Sequence, residues 1–133
     1  MFSFKIALPY LLSLAKAGLF FIKPVFSKKA SSPTKQGEFM SMGLPVICNS
    51  GVGDTDFVID KYQSGVLVDE FNELAYHQAI HQLNKQAFNS VQEIRKGAID
   101  YFSLEKGIDT YLKVYNSLIG VPTPNKEEKI LTN

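Results

Sequence analysis

The stretch Ser31-Ser32-Pro33-Thr34-Lys35-Gln36-Gly37-Glu38-Phe39-Met40-Ser41-Met42-Gly43-Leu44-Pro45-Val46-Ile47-Cys48 decides how the chain is read. It spells a loop, a capped helix, a glycine stop and a buried strand. Ser32 suits an N-cap, and Pro33 at the first helical position gives up only an amide that the helix would leave unpaired. Gly43 stands where a helix end favours a left-handed residue, and Leu44-Pro45 blocks continuation. Val46-Ile47-Cys48 is short, apolar and partly β-branched, as an interior parallel strand requires. The unpaired amides at the helix start, with Ser31, Ser32, Thr34 and Lys35 around them, suit an anion such as phosphate. Glu38 follows just over one turn later, within reach of a ligand's hydroxyl groups.

Composition bounds what surrounds this motif. At 133 residues, with 45% apolar and 20% charged residues, the chain fits one globular domain with a core of its own. Fourteen basic and 13 acidic side chains leave a formal charge of +1, which argues against a nucleic-acid polymer as partner. The lone cysteine, Cys48, falls inside the expected strand, reads as a small buried hydrophobe and forms no disulfide within the chain. A reducing cytoplasm is the expected compartment, with a peripheral place at the inner membrane face as the other option. Met1 to Phe26 is rich in Phe, Leu and Ile, but Pro9, Lys16, Gly18 and Lys23 interrupt it. A buried helix and strand fit it better than a signal peptide or membrane span.

In chain order, Pro9 to Ala17 reads as a short helix and Leu19-Phe20-Phe21-Ile22 as a strand buried on both faces. Val25 to Ser31 is the loop into the central helix. Beyond Cys48, Asn49 to Asp54 is a turn in which Gly51 and Gly53 let backbone approach a ligand closely. Asp54 or Thr55 caps a short helix, Asp56 to Tyr62, and Val66-Leu67-Val68 is a third strand. From Phe71 the spacing is helical, with Asn89 or Ser90 capping one helix and Ser103 the last. Leu104, Ile108, Tyr111, Leu112, Tyr115 and Leu118 form one stripe on that last helix. Residues 1–119 are expected to fold and 120–133 to form a flexible tail.

Strands alternating with helices imply an α/β architecture: a partial, Rossmann-like, doubly wound parallel sheet of about three strands, with C-terminal helices. So narrow a sheet leaves an apolar edge open to further pairing. Loops after the first and second strands open on the edge where such sheets place ligands. Neither loop matches a P-loop or the dinucleotide fingerprint. Glu73, His77 and His81 have metal-compatible spacing, but Asn72, Gln78 and Gln82 beside them mark a solvated face, and no metal or cofactor is expected. Lys23, Lys28 and Lys29 surround the central loop.

The central stretch, followed by Gly51-Val52-Gly53-Asp54, resembles the C-terminal nucleotide-sugar-binding domain of family 4 glycosyltransferases, retaining enzymes of the GT-B fold. The similarity runs from about Ala7 to Leu118, and Leu14-Ala15-Lys16-Ala17-Gly18-Leu19-Phe20-Phe21-Ile22 shares it. The resemblance implies that Glu38 binds the ribose hydroxyls of a nucleotide-sugar donor. It also implies that the helix start, Ser32 to Lys35, lies near the donor diphosphate, with Gly51 and Gly53 as a donor loop. Ala30 departs from the pattern, because relatives place there a glutamate that touches the donor sugar. Upstream basic residues and an N-terminal acceptor domain are also absent, so no catalytic residue stands out and the acceptor is not indicated. Three readings follow: a truncated or split glycosyltransferase, a non-catalytic nucleotide- or partner-binding module, or a related GT-B enzyme such as a sugar-nucleotide epimerase.

Overall fold

The computed structural model describes residues 4–85, 88 and 90–120. Apart from Gly120, the C-cap of the last helix, the expected tail therefore lies outside the described residues. In order, the elements are α1 (Phe4–Ser13), β1 (Gly18–Phe20), a 3-10 turn (Phe26–Lys28), α2 (Thr34–Ser41), β2 (Val46–Asn49), α3 (Thr55–Tyr62), β3 (Gly65–Val68), α4 (Glu73–Lys85), α5 (Val91–Phe102) and α6 (Leu104–Ile119). The fold is α/β, a partial Rossmann-like sheet. The chain divides into two units, Met1–Tyr101 and Phe102–Asn133.

The three strands are parallel in the order β1-β2-β3, with Val46 beside Gly18 and Gly65, and Ile47 beside Leu19 and Val66. Side chains alternate between faces, so Gly18, Val46 and Gly65 share one face and Leu19, Ile47 and Val66 the other. Space for a side chain at Gly18 is filled by Phe39 of α2, and space at Gly65 is limited by Ile59 of α3. Both crossover helices therefore lie on the first face, as right-handed connections between successive neighbours demand. Helix α4 covers the second face, where Ala79 joins Ile47, Val66 and Val68 in an apolar cluster edged by Ala75, Tyr76 and Leu83. Helix α5 buries Ile94, Gly97 and Ala98 and meets the ends of α2 and α3, with Val91 on Gly43 and Gly97 on Tyr62.

Three expectations need correction. Strand β1 is shorter than Leu19–Ile22 and is not buried on both faces: Leu19 is 60% exposed. It is an edge strand, and α4 covers the second face mainly over β2 and β3. Helix α1 starts before Pro9 and ends at Ser13, tolerating the proline inside it. The N-cap of α2 is Pro33 in extended conformation (ψ 112°), not Ser32, and no side chain bonds the helix amides there. Proline's fixed φ serves the position before the helix as well as the first position within it, and Pro33 is buried.

Other local signals hold. The Leu44 amide donates to the Phe39 carbonyl (3.0 Å) and the Gly43 amide to the Met40 carbonyl (2.9 Å), with Gly43 at φ 74°. That pair of bonds is a Schellman stop. Ser90 and Glu93 form a reciprocal capping box, and the Ser90 amide holds the Glu93 carboxyl below the usual carboxylate range. The Ser103 hydroxyl accepts from the Lys106 amide at the start of α6. All six apolar residues of the stripe on α6 are exposed. Among the described residues no helix is long and apolar enough to cross a membrane.

Gly43→Ala would force a left-handed residue to carry a Cβ that collides with Val91. It is expected to lower stability by about 2 kcal/mol in urea unfolding, against a few tenths for an exposed control such as Ser41→Ala.

Candidate functional site

The site lies at the C-terminal edge of the sheet, where the loops after β1 and β2 meet. Asn49, at the end of β2, is buried. Its Oδ1 accepts from the Ile22 amide (2.8 Å) and its Nδ2 donates to the Ser50 carbonyl (3.1 Å). The side chain thus continues the ladder past the last residue of β1 and fixes where the β1 loop departs. That loop turns through the Phe26–Lys28 helix and a hydrogen bond donated by the Ser31 amide to the Lys28 carbonyl (3.1 Å) before entering α2.

The second loop packs against it through backbone. Gly53 has φ 53°, and a Cβ there would overlap the Ser31 carbonyl oxygen. Gly53 therefore meets two demands at once, a left-handed conformation and a contact with no room for a side chain. Gly51, at φ 76°, has open space around it, and its amide donates to the Asp56 carboxylate (3.1 and 3.2 Å).

Between these loops is an open cleft of about 310 Å³, lined by Lys29, Ala30, Ser31, Ser32, Gly53 and Asp54. Of the residues expected to contact a ligand, Ser32 and Gly53 are in its wall. Thr34 and Lys35 form the exposed first turn of α2 beside it, Glu38 is exposed one turn further on, and Gly51 lies outside the lining. The start of α2 carries amides that its own ladder leaves unpaired and that no side chain caps. With the Lys29 ammonium, they make this end electropositive.

Asp54 occupies the N-cap position of α3 without capping it. Its Oδ2 instead accepts from the Tyr101 hydroxyl (2.8 Å), tying α5 to the cleft wall. Burial, and then this bond to a carboxylate, push the Tyr101 phenol up to about 12. Behind the wall, Gln36 and Thr55 are fully buried, and the Gln36 Nε2 donates weakly to the Thr55 carbonyl (3.4 Å). Gln36 Oε1, Thr55 Oγ1 and Asp54 Oδ1 have no hydrogen-bond partner. Such buried polar atoms cost about 1–3 kcal/mol each, and three of the four found among the described residues lie here.

Sequence reasoning passed over Asn49, Gln36 and Tyr101. For Gln36 the signal was present: it shares the buried helical face with Gly37 and Met40. Tyr101 had none, since its partner lies 47 positions away. Glu73 and His77 approach to 3.6 Å as an exposed pair on α4. A second cleft of about 330 Å³ opens beyond β3, where Asp69 and Glu70 make it unsuitable for an anion.

Gly53→Ala must part the two loops. It is expected to destabilise by about 2 kcal/mol and to speed hydrogen exchange at Ser31 and Ser32, read by mass spectrometry. The raised Tyr101 pKa means that the folded protein favours the neutral phenol. Its contribution to stability is full below about pH 10 and is lost as pH rises through about 12. Ultraviolet titration should show late-ionising tyrosine that diminishes in Tyr101→Phe. Comparison of the chain with protein-family models, curated proteins and solved structures finds no match.

Proposed function

We propose that the chain is the later part of the donor-binding domain of a retaining, family-4-like glycosyltransferase, which transfers sugar from a nucleotide-sugar donor to an acceptor hydroxyl. The observation that carries this reading is the cleft at the C-terminal sheet edge, whose wall joins Lys29 to Ser32 with Gly53 and Asp54 and is followed directly by the uncapped start of α2. A parallel α/β sheet places ligands at that edge, and a helix start with a lysine suits a diphosphate.

In this reading the amides of Thr34 and Lys35, the Ser32 hydroxyl and Lys29 hold the diphosphate. They stabilise the charge that develops on the departing nucleoside diphosphate as the acceptor attacks the anomeric carbon. Glu38 accepts hydrogen bonds from the ribose hydroxyls. Gly53 allows the second loop to close against Ser31, and the Asp54 carboxylate stays turned toward Tyr101. The acceptor and the rest of the cleft belong to an N-terminal domain or partner chain, and the protein works in the cytoplasm.

A second reading, a non-catalytic nucleotide- or partner-binding module, is favoured by Ala30. It lines the cleft where the resemblance calls for a glutamate on the donor sugar.

Calorimetric titration with UDP, GDP and ADP tests the proposal. One of them is expected to bind weakly, and Glu38→Ala to weaken that binding about tenfold or more, as loss of hydrogen bonds to a charged group implies. Equal affinity in the variant would remove Glu38 from the site, and no binding of any nucleoside diphosphate would overturn the functional reading.

A further inference from the structure

The formal charge of +1 conceals an uneven distribution. Residues 1 to 37 contain six lysines and no acidic residue, while the remainder carries all 13 acidic residues against eight basic ones. Such asymmetry points to an anionic surface as partner. Within the acid-free stretch, the segment after β1 is a compact turn. The Lys28 amide donates to the Val25 carbonyl (2.8 Å) and the Lys29 amide to the Phe26 carbonyl (3.2 Å). Three residues per turn put Phe26 and Lys29 on one side of it, with Val25 and Lys28 together on another.

Phe26 is 89% exposed, the most open of the large apolar side chains described. Lys23, Lys28 and Lys29 are also exposed, and among the described residues none has an ion-pair partner. Solvation accounts for the lysines but not for the ring, which no neighbouring apolar residue covers. An exposed aromatic ring with exposed lysines close by in the chain matches a bilayer interface: the ring enters the headgroup–acyl boundary while the lysines meet lipid phosphates.

We propose that the Val25–Lys29 turn, with Lys23, is a contact for an anionic lipid surface. One ring and three lysines provide weak, reversible association that falls with salt. An acidic protein surface fits less well, because stable recognition would need a broad rim around Phe26 rather than a five-residue turn. The proposal stands apart from the donor-binding reading: Lys29 serves both, whereas Phe26, Lys23 and Lys28 lie outside the cleft wall.

Co-sedimentation of the full chain with vesicles tests it, comparing phosphatidylcholine alone with equal parts phosphatidylcholine and phosphatidylglycerol. The chain is expected on the anionic vesicles only, and to leave them as salt rises. Phe26→Ser is expected to reduce partitioning about tenfold, and Lys23→Gln and Lys28→Gln about fivefold each. Circular dichroism checks that these exposed-site variants remain folded. Leu11→Ser/Leu14→Ser, at exposed positions in the last turn of α1 and just after it, is the comparison and should bind like wild type. Absent binding, equal binding to neutral vesicles, or loss in the α1 variant but not in Phe26→Ser would each overturn the proposal. So would a Phe26→Ser variant that binds vesicles normally but has lost nucleoside-diphosphate affinity, since Phe26 would then stack on that ligand.

Discussion

Strand β2 is paired on both edges and buried at all four positions, and the helices around it take their places from that constraint. Because β1 and β3 flank it in parallel, each connection must cross over on the same side, which sets α2 and α3 over one face. The other face is left to α4, whose Ala79 is small enough to approach Ile47, Val66 and Val68 closely. Asn49 then carries the influence of β2 past the end of its ladder. By holding the Ile22 amide it determines where the first loop leaves the sheet, and so where α2 begins.

Much of this was legible in the sequence because the signals are short-range. The glycine stop at Gly43, the Ser103 cap and the three apolar strand runs each depend on a few adjacent residues. Their energies favour the same local conformation that the fold requires. The start of α2 is shifted by one position because proline's φ suits both the N-cap and the first helical position, and only the extended ψ of Pro33 distinguishes them. Leu19 was read as buried because an apolar residue in a strand carries no mark of which neighbours the sheet supplies. The cleft was half legible. Residue types at the start of α2 indicate an anion site, but the meeting of Gly53 with Ser31 and of Tyr101 with Asp54 depends on packing between distant segments.

The cleft combines opposed electrostatic demands. Lys29 and the amides of α2 attract negative charge, yet Asp54 sits in the same wall. The Tyr101 hydroxyl donates to the carboxylate from α5, giving that charge a hydrogen-bond partner within the fold. Two of these positions are also tightly placed: Gly53 has no room for a side chain against Ser31, and Tyr101 ties α5 to the second loop through Asp54.

The position of Cys48 gives the protein a built-in clock. It is the sole thiol, it lies fully buried at the middle of the sheet, and burial, reinforced by Asp56, pushes its pKa to about 12. A thiol reagent meets almost no thiolate in the closed state, so modification proceeds only through molecules in which β2 has come out of the sheet. Labelling rates at increasing reagent concentration therefore separate how often the sheet opens from how quickly it closes. Cys48 reports the breathing of the central strand without any added probe.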